Sequence, residues 1–164
     1  MMLSIFEWLL IAIVVLAVAG VIAGQLGLLR GSPPADLGLR EGKLKRPSKT
    51  PNSVSSQADL WPGDAQQDYA RIAPLALVGS GPETLARLKT VVQAQPGAEV
   101  VKAEGDYLYA IFTTRLMKYT DDVEFWFDPA QQVVQVRSAS RLGRGDLGAN
   151  RARVEAVRAA LQAR

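Results

Sequence analysis

The sequence predicts an α+β fold: an antiparallel meander of four to five strands with two helices on one face, preceded by one transmembrane helix. Three observations carry that prediction. The run from Trp8 to Gly24 is apolar and holds no charged side chain. Four strand-like runs follow one another between Glu99 and Ser140, with only short turns between them. One stretch with helical apolar spacing stands before these runs and another after them. The 164 residues therefore divide into an anchor at 1–30, a linker and extended segment at 31–59, and an α+β domain at 60–164. About 100 residues suffice for one hydrophobic core.

The N-terminal run continues past Gln25 through Leu29 before Arg30 ends it. Extended back to Ile5 it takes in Glu7, which is expected at the membrane interface, and Trp8 sits at the height of an interfacial aromatic. About 20 apolar residues rising ~1.5 Å each cross the hydrocarbon core. Ala17-Val18-Ala19 has the small-x-small form of a cleavage site. No Lys or Arg precedes the run, however, and its apolar character persists well beyond that point, so an uncleaved anchor is expected. The lipid bilayer is thus the first expected partner. Gly20 and Gly24 form a G-x-x-x-G pair, a spacing that lets helix backbones meet; it offers a homodimer face, although glycine is common in such helices anyway.

Residues 31–59 are rich in Ser, Pro, Gly, Lys and Asn and read as an extended linker that orders where it meets the domain. Folding is expected to begin near Trp61, with Ile72 to Val78 as a first strand. Ser80-Gly81-Pro82-Glu83 is a capping box with Pro in the first turn, so it opens a helix. Leu85, Leu88 and Val92 give that helix its stripe, and Pro96-Gly97 ends it. The four strands are Glu99–Glu104, Tyr107–Leu116, Asp121–Asp128 and Val133–Ser140; such short connections imply antiparallel neighbours. A helix over Gly148–Ala163, with the stripe Val154, Val157 and Leu161, closes the domain, capped by Asp146 or Asn150. Helices flanking a meander pack together on one face of it.

Composition removes several chemistries. The chain has no Cys and no His, so it offers no thiol nucleophile, no imidazole base and no zinc site of the Cys/His kind. No metal site and no cofactor are expected. Gly143 to Gly148 spells G-x-G-x-x-G, but no strand follows its helix and Asp146 stands where a pyrophosphate would sit, which disfavours a dinucleotide. The net charge of +3 is uneven. Arg30, Arg40, Lys43, Lys45, Arg46 and Lys49 face only Asp36 and Glu41 in their stretch, and seven Arg from Arg137 onward face Asp146 and Glu155. Basic residues after the anchor argue for a cytoplasmic domain, an argument that weakens with their distance from Arg30. Glu155 interrupts the basic C-terminal helix and no aromatic follows Phe127, so no nucleic-acid partner is expected.

Strand alternation places Phe112, Val123, Phe125, Phe127, Val134 and Val136 on the core face. The other face then carries Arg115, Asp122, Glu124, Trp126, Arg137 and Arg141. With hairpin loops at Met117–Thr120 and Asp128–Gln131, Arg115 faces Asp122 and Asp122 faces Arg137. Such a row is either a salt ladder, contributing roughly 0.2–1 kcal/mol per pair, or a patch that holds an anion in the planar donor forks of arginine. Arg115, Asp122, Glu124, Arg137 and Arg141 are therefore the candidate binding residues. The first expectation is a non-enzymatic envelope module that binds a protein partner or a small anion. The alternative is an enzyme using Asp121, Asp122 and Glu124, with Mg or Ca; the nearby arginines would keep these carboxylates ionised and leave no proton donor.

From Leu39 onward the chain resembles the domain of unknown function 1499 family. The matching stretches are Pro51-Asn52-Ser53-Val54-Ser55-Ser56, Thr114-Arg115-Leu116, Asp121 to Phe125, Val136-Arg137-Ser138-Ala139-Ser140-Arg141, Asp146-Leu147-Gly148 and Asn150-Arg151. The resemblance implies no activity, because none is established for the family. Members often carry Cys within P-N-C-V-S-S and a second Cys nearby; here Ser53 takes the first position and the region of Pro47 supplies no second. Many members look like exported proteins or lipoproteins. That points to a single-pass protein of a bacterial inner membrane with its domain on the periplasmic side, although this chain has no lipobox Cys.

Overall fold

The computed structural model describes residues 4–163, so the outer ends of the expected anchor and domain lie outside the described residues. Helix α1 spans Ile5–Gln25. Glu7, the only charge in the run, belongs to a capping box: it accepts from the Ser4 N–H at 2.6 Å while Ser4 Oγ accepts from the Glu7 N–H at 3.3 Å. Two of the four unpaired donors at the helix start are thereby satisfied. The helix has a mean hydropathy of 2.8, and its apolar side chains are exposed. By length and composition it can cross a membrane.

The domain is α+β, as the sequence predicts, but its antiparallel sheet has six strands. These are β1 (Ser53–Ser55), β2 (Leu75–Ala76), β3 (Ala98–Glu104), β4 (Tyr107–Thr113), β5 (Thr120–Asp128) and β6 (Val133–Ser140). The order is β1-β6-β5-β4-β3, and β2 also pairs with β6, beyond the end of β1. The additional strand, β1, lies in a polar Ser-Val-Ser stretch with no alternation to reveal it. It forms because β6 presents an open edge, along which Ser53 faces Ala139 and Ser55 faces Arg137. The strand expected from Ile72 shrinks to β2, since Pro74 just before it has no N–H to donate.

Short α2 (Gln67–Ala70) precedes the two long helices, α3 (Gly81–Gln93) and α4 (Ala149–Gln162). Ser80 and Glu83 form the expected capping box. Gly148 occupies the cap position of α4 in the left-handed region, and Asp146 accepts from the N–H groups of Gly148 and Asn150, each at 3.0 Å. Both helices lie on one face. Leu85, Leu88, Val92, Val154, Val157 and Leu161 meet Phe112, Val123, Phe125, Phe127, Val134 and Val136 in a single core.

The opposite face is also covered. Residues 36–48 cross it as a strap: Gly38 N–H donates to Glu124 Oε1 at 2.7 Å, and Leu44, 2% exposed, is fixed by its N–H to Gln57 Oε1 at 2.8 Å. Between α1 and the domain, Gly24 is buried against the β4–β5 loop, where a Cβ would stand 2.5 Å from the carbonyl oxygen of Met117. Gln25 donates its side-chain amide to the Leu116 carbonyl at 2.8 Å.

Candidate functional site

Alternation along three neighbouring strands delivers Tyr107 and Tyr109 from β4, Asp122 and Glu124 from β5, and Arg137 from β6 to the strap side of the sheet; Arg141 follows β6. Two clusters result. Asp122 accepts from Arg141 Nε at 3.0 Å and Nη2 at 2.8 Å, and from the Tyr109 hydroxyl at 2.6 Å. Glu124 accepts from the Tyr107 hydroxyl at 2.8 Å, the Gly38 N–H and Arg137 Nη1, the last at 3.4 Å. Asp122, Glu124 and Arg137 are 1%, 0% and 3% exposed, so these are buried charges rather than a solvated ladder.

The pairing differs from the row expected across the strands. Glu124, not Asp122, faces Arg137, and Asp122 faces Ile111 and Ala139. Arg115 stands apart and exposed in the β4–β5 connection. The cause is where the turns are centred: the first connection runs from Thr114 to Tyr119, and the second, still four residues long, from Pro129 to Gln132. Both shifts are even, so every side chain keeps its face while its partner changes. Asp121 projects to the helix side, where it accepts from Arg153 Nη2 at 2.6 Å. The three carboxylates of the enzyme reading are thus divided between two faces, each with its own arginine, and no metal-ligating group of three or more appears among the described residues.

Above Arg137 lies a cavity of about 650 Å³ between the strap and the sheet. Arg40, Lys43, Lys45, Arg46 and Lys49 line it together with Arg137 and Trp61, against only Asp36 and Glu41. Lys45 is paired with Asp36 and Arg46 with Asp64. Lys43 and Arg46 stand 5.7 and 5.5 Å from the centre of the Trp61 ring. Two buried N–H donors have no partner among the described residues, Arg137 Nε and Trp61 Nε1, and both belong to residues of this cavity. Leaving such a donor unmade costs about 1–3 kcal/mol. Burial pulls the Arg137 pKa down against the opposing pull of Glu124, Asp122 and Asp36, so a further negative charge close by would favour its charged form.

Tyr107 and Tyr109 escape the sequence reading, which takes Trp61 only as the start of folding and the basic residues of the strap only as a topology signal. The alternation of Tyr107 and Tyr109 with Leu108 and Ala110 is the signal that would have found the two tyrosines.

Residues 43–161 match the family described as protein of unknown function (DUF1499). The chain belongs to that family. No curated protein and no solved structure matches it. Within this DUF1499 domain, the motifs around Asn52, Ser140, Asp146 and Asn150 gather around the start of α4. Asn150 donates to the Asn52 carbonyl at 3.1 Å and Ser140 Oγ at 3.0 Å, and Asn52 donates to the Gly143 carbonyl at 2.8 Å. Arg151 donates to the Tyr69 and Arg71 carbonyls at 2.6 and 2.9 Å. Ser53 accepts from the Ser48 N–H at 2.8 Å, so the position that often carries Cys lies against the chain just after Pro47.

Burial and the neighbouring Asp122 push Tyr109 up to about 12, and burial with Glu124 pushes Tyr107 up as well. A folded-state pKa above the unfolded value of about 10 gives stability that is intact below pH ~10 and is lost as pH rises toward the folded value. We expect unfolding free energy to fall over that alkaline window and tyrosinate absorbance to rise with it. In Tyr109→Phe the alkaline fall should be smaller; an unchanged profile would contradict the assignment.

Proposed function

We propose that the protein is a membrane-anchored, non-enzymatic envelope module whose domain binds a small oxyanion in the cavity above Arg137. The observation that carries this reading is the meeting of two unpartnered buried donors with a basic lining in one cavity. A phosphate or carboxylate group accepts hydrogen bonds only, and it suits planar guanidinium and indole donors. The strap supplies most of the lining, and Arg137 reaches it from the sheet. Anchoring is supported by α1, whose apolar side chains are mostly left exposed by the described residues. The carboxylates of Asp121, Asp122 and Glu124 are each committed to an arginine, and no observation favours the enzyme reading.

Titration calorimetry of the full-length protein in detergent, with inorganic phosphate, pyrophosphate and citrate in turn, tests this. Saturable binding of at least one anion is expected, with a rise in melting temperature that follows ligand concentration. Lys43→Ala and Lys49→Ala should weaken binding several-fold while leaving the unliganded melt near that of the wild type, because neither lysine is ion-paired among the described residues. No heat and no shift in melting with any of the three anions would overturn the reading.

A further inference from the structure

We propose that the domain docks on the bilayer through two loops, Thr114–Tyr119 and Arg141–Leu147, which enter the anionic headgroup layer beside the end of α1. This rests on the reading of α1 as a membrane anchor. The loops come from distant parts of the chain, yet both meet at that helix end. Met117 packs beside Gly20 and Gly24, level with the last turns of the apolar helix rather than beyond them. The chain leaving α1 passes Leu142, and Leu29, Tyr119, Leu142 and Leu147 line one hollow. Any bilayer spanned by α1 must therefore reach these loops.

Their chemistry suits that depth. Leu116, Leu142 and Leu147 are 59%, 40% and 106% exposed, and Tyr119 is 40% exposed. Leu147 holds a left-handed backbone with φ 51°, a conformation costly for a leucine and matched here by no packing of its side chain. Arg30, Arg115, Lys118 and Arg144 surround these leucines, and none forms an ion pair among the described residues. One carboxylate, Glu99, shares a hollow with Arg30, Arg115 and Lys118, so the balance there stays positive. Asp146 is turned inward to Tyr69, Gly148 and Asn150. Apolar and aromatic side chains interleaved with unpaired cations fit an interface of acyl chains and anionic headgroups. A protein partner, or a second copy, would have to displace lipid from the side of α1 to reach the same leucines.

Because the chain has no Cys, Leu116→Cys, Leu147→Cys and Asp106→Cys each give one labelling site. Asp106 lies in the turn at the opposite end of β4 and serves as the distant control. The full-length variants, carrying an environment-sensitive fluorophore, are reconstituted in phosphatidylcholine vesicles with and without phosphatidylglycerol. The labels are then exposed to headgroup spin-labelled lipid. Labels at 116 and 147 should be quenched several-fold more than the label at 106. Quenching should deepen with phosphatidylglycerol and weaken when Lys118→Glu and Arg144→Glu are introduced. Protein that resists carbonate extraction but leaves all three labels equally unquenched overturns the docking and leaves the anchor standing. Labels at 116 and 147 shielded from water yet unquenched by lipid also overturn it, in favour of a protein on that face. Release by carbonate overturns the anchor itself.

Discussion

Glu124→Ala should lower the unfolding free energy by about 3–5 kcal/mol, because it leaves Arg137 buried without its hydrogen-bonded counter-ion. Arg137 is 3% exposed and its side chain's only hydrogen bond among the described residues goes to Glu124. The same change releases the Tyr107 hydroxyl and the N–H of Gly38, so the strap loses its hold on the sheet. Urea unfolding of the full-length protein in detergent measures the cost. Adding Arg137→Met should restore much of the loss, since replacing both members of a buried pair with apolar groups is often near neutral. A cost under about 1 kcal/mol for Glu124→Ala would mean that solvent reaches the face and screens the pair, as on an exposed ladder.

Whether this face is a ladder or a covered site is not legible in the sequence, because the strap that decides it has almost no apolar signature. Leu44 is its buried apolar anchor, and the rest of its hold comes from polar contacts: N–H groups reaching Glu124 and the Gln57 amide, the Gly42 carbonyl accepting from Gln57, and Arg46 paired with Asp64. Hydrophobic periodicity does not register such contacts, so the segment reads as linker. The meander and its two helices are legible for the converse reason. Alternation in β5 and β6 puts apolar side chains on one face and polar ones on the other, α3 and α4 each carry one apolar stripe, and such segregation is what periodicity encodes. Faces are therefore legible while pairings are not. The β4–β5 connection, with Lys118 in the left-handed region, is longer than a tight hairpin and moves the register without turning any strand over. Asp122 and Glu124 kept their side of the sheet, and Arg115 was left in the loop.

Asn150 carries the second large effect. It is fully buried and joins three elements: its amide donates to the Asn52 carbonyl, Ser140 Oγ and Asp146 Oδ2, and its oxygen accepts from Ser138 Oγ and Arg153 Nη1. β1, β6 and α4 are thus fastened through one side chain. Asn150→Ala leaves several of these groups buried without partners and should cost about 2–4 kcal/mol. Asn150→Asp keeps the shape but sets a second carboxylate beside Asp146, and it separates two explanations of that cost. In the wild type, burial pushes Asp146 up but hydrogen bonds from Tyr69, Asn150 and Gly148 outweigh it, and its carboxyl ends below the usual range. A depressed folded-state value gives stability that is present above the unfolded value of about 3.9 and lost as pH falls through the folded one. In Asn150→Asp the like charges repel at neutral pH, and protonating one of them on acidification relieves the strain. The wild type should therefore weaken in acid while Asn150→Asp gains stability over the same fall in pH. Parallel pH profiles for the two proteins would show that Asn150 fills space at the start of α4 and does not hold it by hydrogen bonds.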